Sequence, residues 1–454
     1  MKRLFGTDGI RGIANQEPMT PLLGLKLGVA IGKRYGHKDG FVCIGRDTRQ
    51  SGPMLQASLA SGLLSSGLNA LSLGVIPTAA VAHFTAHFTA KKGAVAGVMV
   101  SASHNPWNHN GFKVFSRAGE KLNQGEERAL ETLIHHQELL GFPEVLEPGT
   151  IVHQEDATQQ YVSFLLESIS NGPDFKDIKL VIDCANGAAY KVAPILFDRL
   201  ETRATVLFAN PDGRNINEGC GSEEIEALAK AVVKEGALMG LAFDGDADRL
   251  IAIDERGHEV SGDQLLAIFS KMLKDQGRLG VPLVVSTVMS NLGLKKALQA
   301  MGVAHVDVPV GDRNVYMEMK KRGALLGGED SGHIIFREYH TTGDGILSGL
   351  MLLQALVHFN KPLSELSTLM TPFPQVLINV PVSSKPEISS VPQIQRIIHQ
   401  VEQELGDNGR VLVRYSGTEA VCRVMVEGED NTRVEQFARE IAGVISQSLG
   451  SSNK

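Results

Sequence analysis

Ser103 stands in Val100-Ser101-Ala102-Ser103-His104-Asn105-Pro106, where a polar loop ends the apolar run from Gly93 to Val100. A hydroxyl placed there can act as a nucleophile, because active-site groups of α/β proteins gather at the carboxyl ends of buried strands. Taken alone, the heptapeptide is equally an ordinary serine-rich turn. Asp244, Asp246 and Asp248 alternate in Phe243-Asp244-Gly245-Asp246-Ala247-Asp248-Arg249. Carboxylates spaced in this way can converge on one cation, and hard oxygen donors suit Mg²⁺ or Ca²⁺. The run opens like an EF-hand with Glu255 as its last ligand, but Arg249 replaces the required glycine and Leu250 to Ile253 reads as a strand, which excludes a calcium-signalling loop. Gly327-Gly328-Glu329-Asp330-Ser331-Gly332-His333 offers the Glu329 carboxylate, the Ser331 hydroxyl and the His333 imidazole on flexible backbone, a set that suits sugar hydroxyls. Arg414-Tyr415-Ser416-Gly417-Thr418-Glu419, with Arg423 beyond it, combines guanidinium forks, hydroxyls and backbone N–H groups into an anion cradle best suited to phosphate. A nucleophile, a metal site, a polyol reader and a phosphate cradle together point to phosphoryl transfer on a sugar phosphate.

The elements that must position these loops follow a repeated grammar of apolar strand, Gly- or Asn-bearing loop and amphipathic helix. It runs from Phe41 to Ser66, from Leu180 to about Leu200, and from Leu283 to Ala300. The run ending at Val100 is small and β-branched, as in a buried parallel strand, and Pro106 keeps Asn105 out of the helical region. Polar, proline-bearing breaks near Glu144 to Asp156 and Met370 to Pro374, with a softer one near Asp254 to Gly262, divide the chain. The expected domains are 1–155 with the serine loop, 156–257 with the aspartate loop, 258–370 with the Glu329 loop and 371–454 with the Arg414 loop. The fold class is α/β: three related α/β domains with mixed sheets, then a smaller α+β domain.

At 454 residues the chain is too long for a single core. Its 44 Lys and Arg against 51 Asp and Glu leave a net charge of −7, so no global basic field argues for nucleic acid or an anionic membrane. Any anionic substrate must be met by local Arg and Lys. Cys43, Cys184, Cys220 and Cys422 are far apart in sequence and form no zinc or disulfide framework, which fits a reducing cytoplasm. The first residues lack a secretory h-region and no apolar stretch reaches membrane-spanning length, so a cytoplasmic, unexported protein is expected. No Gly-x-Gly-x-x-Gly follows a strand at the start of a helix, which argues against a dinucleotide enzyme.

Phe5-Gly6-Thr7-Asp8-Gly9-Ile10-Arg11-Gly12 and the four loops, in this order and over essentially the whole chain, resemble the α-phosphohexomutase superfamily, and within it the bacterial phosphoglucosamine mutases. The resemblance implies four domains around a central cleft and interconversion of glucosamine 6-phosphate and glucosamine 1-phosphate through a phosphoserine enzyme and a 1,6-bisphosphate. That activity feeds UDP-N-acetylglucosamine and cell-wall precursor synthesis. It makes Ser103 the phosphate carrier with Ser101 as a supporting neighbour, and Asp244, Asp246 and Asp248 the ligands of one Mg²⁺ per subunit, completed by an oxygen of phospho-Ser103. Glu329 and Ser331 then hold sugar hydroxyls, and Arg414, Ser416, Gly417, Thr418 and Arg423 bind the phosphate that is not transferred. Lys113, His104, Arg249 and His333 match positions near the reacting oxygens, Lys113 being the first choice as acid/base if neighbouring cations lower its pKa toward neutrality. Arg11 and Arg49 supply positive potential or structural ion pairs. A hexose 1,6-bisphosphate is the expected priming donor, a sugar phosphate the only expected partner, and the assembly is left open between monomer and homodimer.

Three departures from that pattern stand out. Asp330 replaces a common Gln, Ala420 a common Pro and His109 a common Asp. Asp330 lies in the sugar-reading loop, which puts the choice of sugar in question and keeps a phosphomannomutase/phosphoglucomutase as the alternative. Met289-Ser290-Asn291-Leu292-Gly293 and Val310-Gly311-Asp312-Arg313 resemble the glucosamine branch.

Overall fold

The computed structural model describes residues 3–37, 39–136, 147–169, 172–416 and 420–450. Among the described residues four sheets form, three mixed and one antiparallel. The first has six strands in the order Ile10–Ile13, His109–Ser116, Ala94–Val100, Phe41–Arg46, Asn69–Val75 and Ile151–His153. Ala94–Val100 is buried at every position, as its small and β-branched residues require. It runs parallel to Phe41–Arg46 on one side and antiparallel to His109–Ser116 on the other.

The second sheet repeats this arrangement. Met239–Phe243 runs parallel to Lys179–Asp183 and antiparallel to Leu250–Asp254. In the third, Leu326–Gly328 runs parallel to Leu283–Thr287 and antiparallel to Ile334–Phe336. Three times a buried strand parallel to an earlier strand gives way to a loop and an antiparallel return strand, and those loops carry Ser103, the three aspartates and Glu329. The fourth sheet, Gln375–Pro381, Val421–Gly428 and Gly409–Tyr415, is antiparallel and packs with helices Pro392–Leu405 and Asn431–Leu449 around Val424, Val426, Val434 and Ile441.

Two features depart from the sequence reading. Within the break at Glu144 to Asp156, Ile151–His153 adds a sixth strand parallel to Asn69–Val75. Its three residues are all exposed, so no burial pattern marked it. The helix Leu292–Ala300 follows a strand of the third sheet, yet it belongs to a compact unit made of Ser290–Ala300 and Met370–Lys454, the rest of the chain forming the other unit. Asn291 Nδ2 donates to the Phe373 carbonyl at 3.0 Å, the Phe373 N–H returns to Asn291 Oδ1 at 2.9 Å, and Lys296 Nζ reaches Asn408 Oδ1 at 2.5 Å. No helix among the described residues is long and apolar enough to cross a membrane. All four cysteines are buried and free.

Candidate active site

Ser103 holds a backbone φ of 53°, in the left-handed region, which costs an ordinary residue about 1–2 kcal/mol and persists only under outside support. The support is dense. The Ser103 N–H donates to Ser101 Oγ at 3.0 Å, and that hydroxyl donates to Asp47 Oδ2 at 2.6 Å. Asp47 is fully buried, which raises its pKa, and Arg49 Nε faces it at 2.8 Å. The Arg49 guanidinium also donates to the carbonyls of Ser103 and Asn105, each at 2.7 Å, and to that of Pro106. Arg49 is 0% exposed, so it braces the loop and sets no potential in open solvent.

Thus presented, Ser103 Oγ donates to Asp244 Oδ2 at 2.5 Å and lies 3.3 Å from His104 Nδ1. Burial, then repulsion from Asp248 and Asp246, holds the Asp244 carboxyl well above the usual range. The three aspartates offer ligand oxygens all within 4.8 Å of one another. Asp246 Oδ1 and Asp248 Oδ1 are buried without a hydrogen-bond partner among the described residues. Converging, unsatisfied carboxylate oxygens fit a hard divalent cation. Thr78, at the start of the helix Thr78–Lys92, turns Asp246 by donating its hydroxyl to Oδ2. The loop admits no side chain at Gly245, where a Cβ would stand 2.5 Å from the Ser103 carbonyl oxygen. Glu255, the residue that would close an EF-hand, instead accepts from the Ser364 N–H at 3.2 Å.

Lys113 projects from the return strand His109–Ser116, with Nζ 2.6 Å from Asp246 Oδ2, 2.7 Å from Asp248 Oδ2 and 3.2 Å from Asp8 Oδ2. Burial opposes its charge, but the three carboxylates outweigh that and hold its pKa well above normal. The expectation of a lysine lowered toward neutrality is corrected: its nearest neighbours are anions. His104 shows the reverse, its pKa pushed down to about 4 by burial and by Arg249 and Arg11. At neutral pH it is an uncharged imidazole.

A cavity of about 340 Å³ opens beside this cluster and is lined by His104, Arg11, Arg249, Asp248, Glu329 and His333. Glu329 Oε1 accepts from the Gly311 N–H at 3.1 Å. Burial and the nearby Asp312 raise the Glu329 pKa, His333 opposing them. His333 Nε2 lies 2.9 Å from the Gly343 backbone nitrogen and 3.3 Å from Asp312 Oδ2, and its Nδ1 lies 3.7 Å from Asp248 Oδ1. Burial opposes the ring's charge, but Asp248 and Asp312 outweigh it and raise its pKa. The N-terminal segment also lines it, with Leu4, Gly6, Thr7, Asp8 and Gly9; there Asp8 pairs with Arg11 and with Lys121, and Lys121 pairs also with Asp312. Ser331 and Asp330 share the turn closed by the Gly332 N–H to Glu329 carbonyl bond at 3.0 Å, but neither lines the cavity. The Asp330 carboxylate accepts from the Asp263 N–H at 3.2 Å.

In the smaller unit, Arg414 and Arg423 stand directly opposite across antiparallel strands. Burial and Arg423 lower the Arg414 pKa, a repulsion that a bound anion relieves. Ser416 is buried, and Lys385 Nζ donates to its carbonyl at 2.6 Å. Gly417 and Thr418 lie outside the described residues. Asn217, Thr78, Lys121 and Lys385 escaped the sequence reading. Each is an isolated polar residue in an unremarkable stretch, whereas Asp8 and Asp312 lie inside the motifs Phe5 to Gly12 and Val310 to Arg313.

Four family models match the chain. They are Phosphoglucomutase/phosphomannomutase, alpha/beta/alpha domain I over residues 2–140, domain II over 159–257, domain III over 261–373, and the C-terminal domain over 377–444. The phosphoglucosamine mutase of Desulforapulum autotrophicum is 50% identical, covering 98% of this chain and 99% of its own length. That of Syntrophus aciditrophicus is 47% identical, covering 99% and 100%. Among solved structures, a phosphoglucomutase/phosphomannomutase family protein from Burkholderia thailandensis matches with a TM-score of 0.82 at 24% identity over 99% of this chain and 98% of its own. The Aspergillus fumigatus N-acetylphosphoglucosamine mutase in complex with GlcNAc-6P and magnesium has the same fold, with a TM-score of 0.69 at 18% identity over 98% and 96%.

Proposed function

The chain belongs to the phosphoglucomutase/phosphomannomutase family, and we propose that within it this protein is a cytoplasmic isomerase interconverting glucosamine 6-phosphate and glucosamine 1-phosphate, a step toward UDP-N-acetylglucosamine. The amino-sugar choice is supported by full-length relatives of that activity at close to half identity.

In the first half-reaction the P–O bond to Ser103 Oγ breaks and a P–O bond to the free sugar hydroxyl forms; the sugar hydroxyl's proton passes to a base of the site, and Ser103 Oγ leaves as a hydroxyl by taking a proton from an acid of the site. The resulting 1,6-bisphosphate turns over, and its other phosphate returns to Ser103. Asp244, Asp246 and Asp248 would hold one Mg²⁺ per subunit together with a phosphoserine oxygen, and the ion would neutralise the oxygens of the transferring group. Arg11 and Arg249 supply fixed positive charge on the cavity wall. Lys113, held protonated, is suited to donate a proton or balance charge; neutral His104, beside Ser103 Oγ, is suited to accept one. Glu329, with His333 close by on the cavity wall, reads sugar hydroxyls, Ser331 acting from the same turn although it does not line the cavity itself, while Arg414, Ser416, Gly417, Thr418 and Arg423 take the spectator phosphate.

The observation that carries this reading is the Ser103 hydroxyl at 2.5 Å from Asp244, inside a carboxylate cluster with two unsatisfied oxygens. Its test is the intact mass of the protein before and after incubation with glucose 1,6-bisphosphate and Mg²⁺. A gain of one phosphate that maps to Ser103, and is missing in Ser103→Ala, is expected; no gain, or a gain elsewhere, rejects the assignment. Assays on glucosamine, glucose and mannose phosphates side by side decide the sugar, and a clear preference for mannose would reject the amino-sugar choice.

A further inference from the structure

Two side chains, from loops that follow strands of different sheets, grip the same two carbonyls of the serine loop. Arg49, which follows the strand Phe41–Arg46, donates from one guanidinium nitrogen to the Ser103 and Asn105 carbonyls at 2.7 Å each. Asn217 Nδ2, from the loop after Arg203–Leu207, donates to the same pair at 2.9 and 3.1 Å. The Arg49 N–H and Nε are fixed in turn on the two oxygens of buried Asp47, at 2.9 and 2.8 Å. The same Asp47 receives the Ser101 hydroxyl that takes the Ser103 N–H. Both the amide and the carbonyl of Ser103 are therefore tied, and the residue between them keeps its positive φ. A second contact braces the Asn217 loop, since the Arg214 guanidinium lies 5.2 Å from the Trp107 ring and its Nε donates to Gln50 Oε1 at 2.9 Å.

We propose that Arg49 and Asn217 form a clamp that positions the nucleophile: by holding the Ser103 and Asn105 carbonyls they fix the left-handed backbone that aims Ser103 Oγ at Asp244. The inference rests on the reading of Ser103 as the phosphate carrier. Neither residue touches the reacting atoms, so both act through Ser103 and belong to the transfer step, not to sugar binding. Only a planar fork of donors can serve Asp47 and three carbonyls at once, which explains an arginine buried away from any substrate.

Asn217→Ala leaves the buried ion pair intact and is the primary variant; Arg49→Lys keeps the charge but loses the fork. Each is measured for kcat and KM, and for the single-turnover rate at which glucose 1,6-bisphosphate phosphorylates Ser103. The clamp requires kcat and the phosphorylation rate to fall together, by about tenfold or more, with KM for the sugar phosphate unchanged within about twofold. Guanidinium added to Arg49→Ala should restore part of the lost rate. Folded Asn217→Ala that phosphorylates at the wild-type rate, or loses rate only through a higher KM, overturns the clamp. Wild-type protein that takes up no phosphate on Ser103 overturns the serine reading and the clamp with it, a result separate from equal rates in wild type and variant.

Discussion

Asp330 directs its carboxylate at the N–H of Asp263, the second residue of the helix Gly262–Asp275. A carboxylate at a helix N-terminus is held by orphan N–H groups and by the helix dipole, an effect of about 0.5–1 kcal/mol. Together with its absence from the cavity wall, this makes Asp330 an anchor for the turn that carries Glu329; under the proposed function, the question of sugar preference moves to Glu329, Asp312 and Gly311, which line the cavity. Asp330→Gln should therefore leave the ratio of kcat/KM for glucosamine over glucose phosphate within about threefold of wild type. A shift of tenfold or more would return Asp330 to the role of reader. The departure at position 330 was visible in the sequence, but its orientation depends on Gly262, whose backbone is tight against this turn and whose distance in sequence hides the contact. Lys113 teaches the same lesson. A lysine near arginines reads as acidified, whereas three carboxylates from two other segments decide its charge.

At the scale of elements, three segments meet in a ring cluster: His83 on the helix Thr78–Lys92, Tyr161 and Phe164 on the helix Ala157–Glu167, and His340. The His83 ring lies 4.0 Å from that of Phe164, and its pKa is pushed down to about 3 by burial, then by His340 and His87. An unfolded histidine protonates near its ordinary value of about 6.5. Between that value and about 3 the unfolded chain binds the extra proton, so stability falls as pH drops through this window, by about 2 kcal/mol at pH 5. His83→Phe keeps a ring and removes the titration. Its thermal midpoint should fall less than that of wild type between about pH 7.5 and about pH 5. Parallel losses in the two proteins would show that His83 does not carry this term. The strands and helices bearing the site were legible because they are apolar, β-branched or amphipathic in period. The clustering of His83 was not, since an alternation of His and Phe on a helix gives no sign of which rings from elsewhere will face it.

At the scale of the whole molecule, the order of the four functional loops could be read from the sequence because each lies at the end of a strand. What sequence order concealed is that each of the first three lies between a parallel and an antiparallel neighbour. It also concealed the allegiance of Leu292–Ala300, since a helix after a strand reads as part of that strand's own sheet. Leu292, Leu294, Ala297 and Leu298 are buried, and Asn291, just ahead of the helix, exchanges two hydrogen bonds with Phe373. A chain ending at Leu369 should show faster amide hydrogen exchange across 290–300 but unchanged protection in the helix Asp312–Arg322. Equal protection of 290–300 in the full and shortened chains would mean that this helix stands without its C-terminal partners.

Because Ser290–Ala300 is part of the smaller unit, the chain passes between the two units three times, at 289/290, 300/301 and 369/370. A single crossover near residue 370, the natural breakpoint by sequence, would join a foreign C-terminal sheet to a resident helix shaped for another. Gene recombination can therefore exchange this unit between relatives only as two separate pieces inherited together, and residues 290–300 should covary with 370–450 more than with the third sheet that encloses them in sequence.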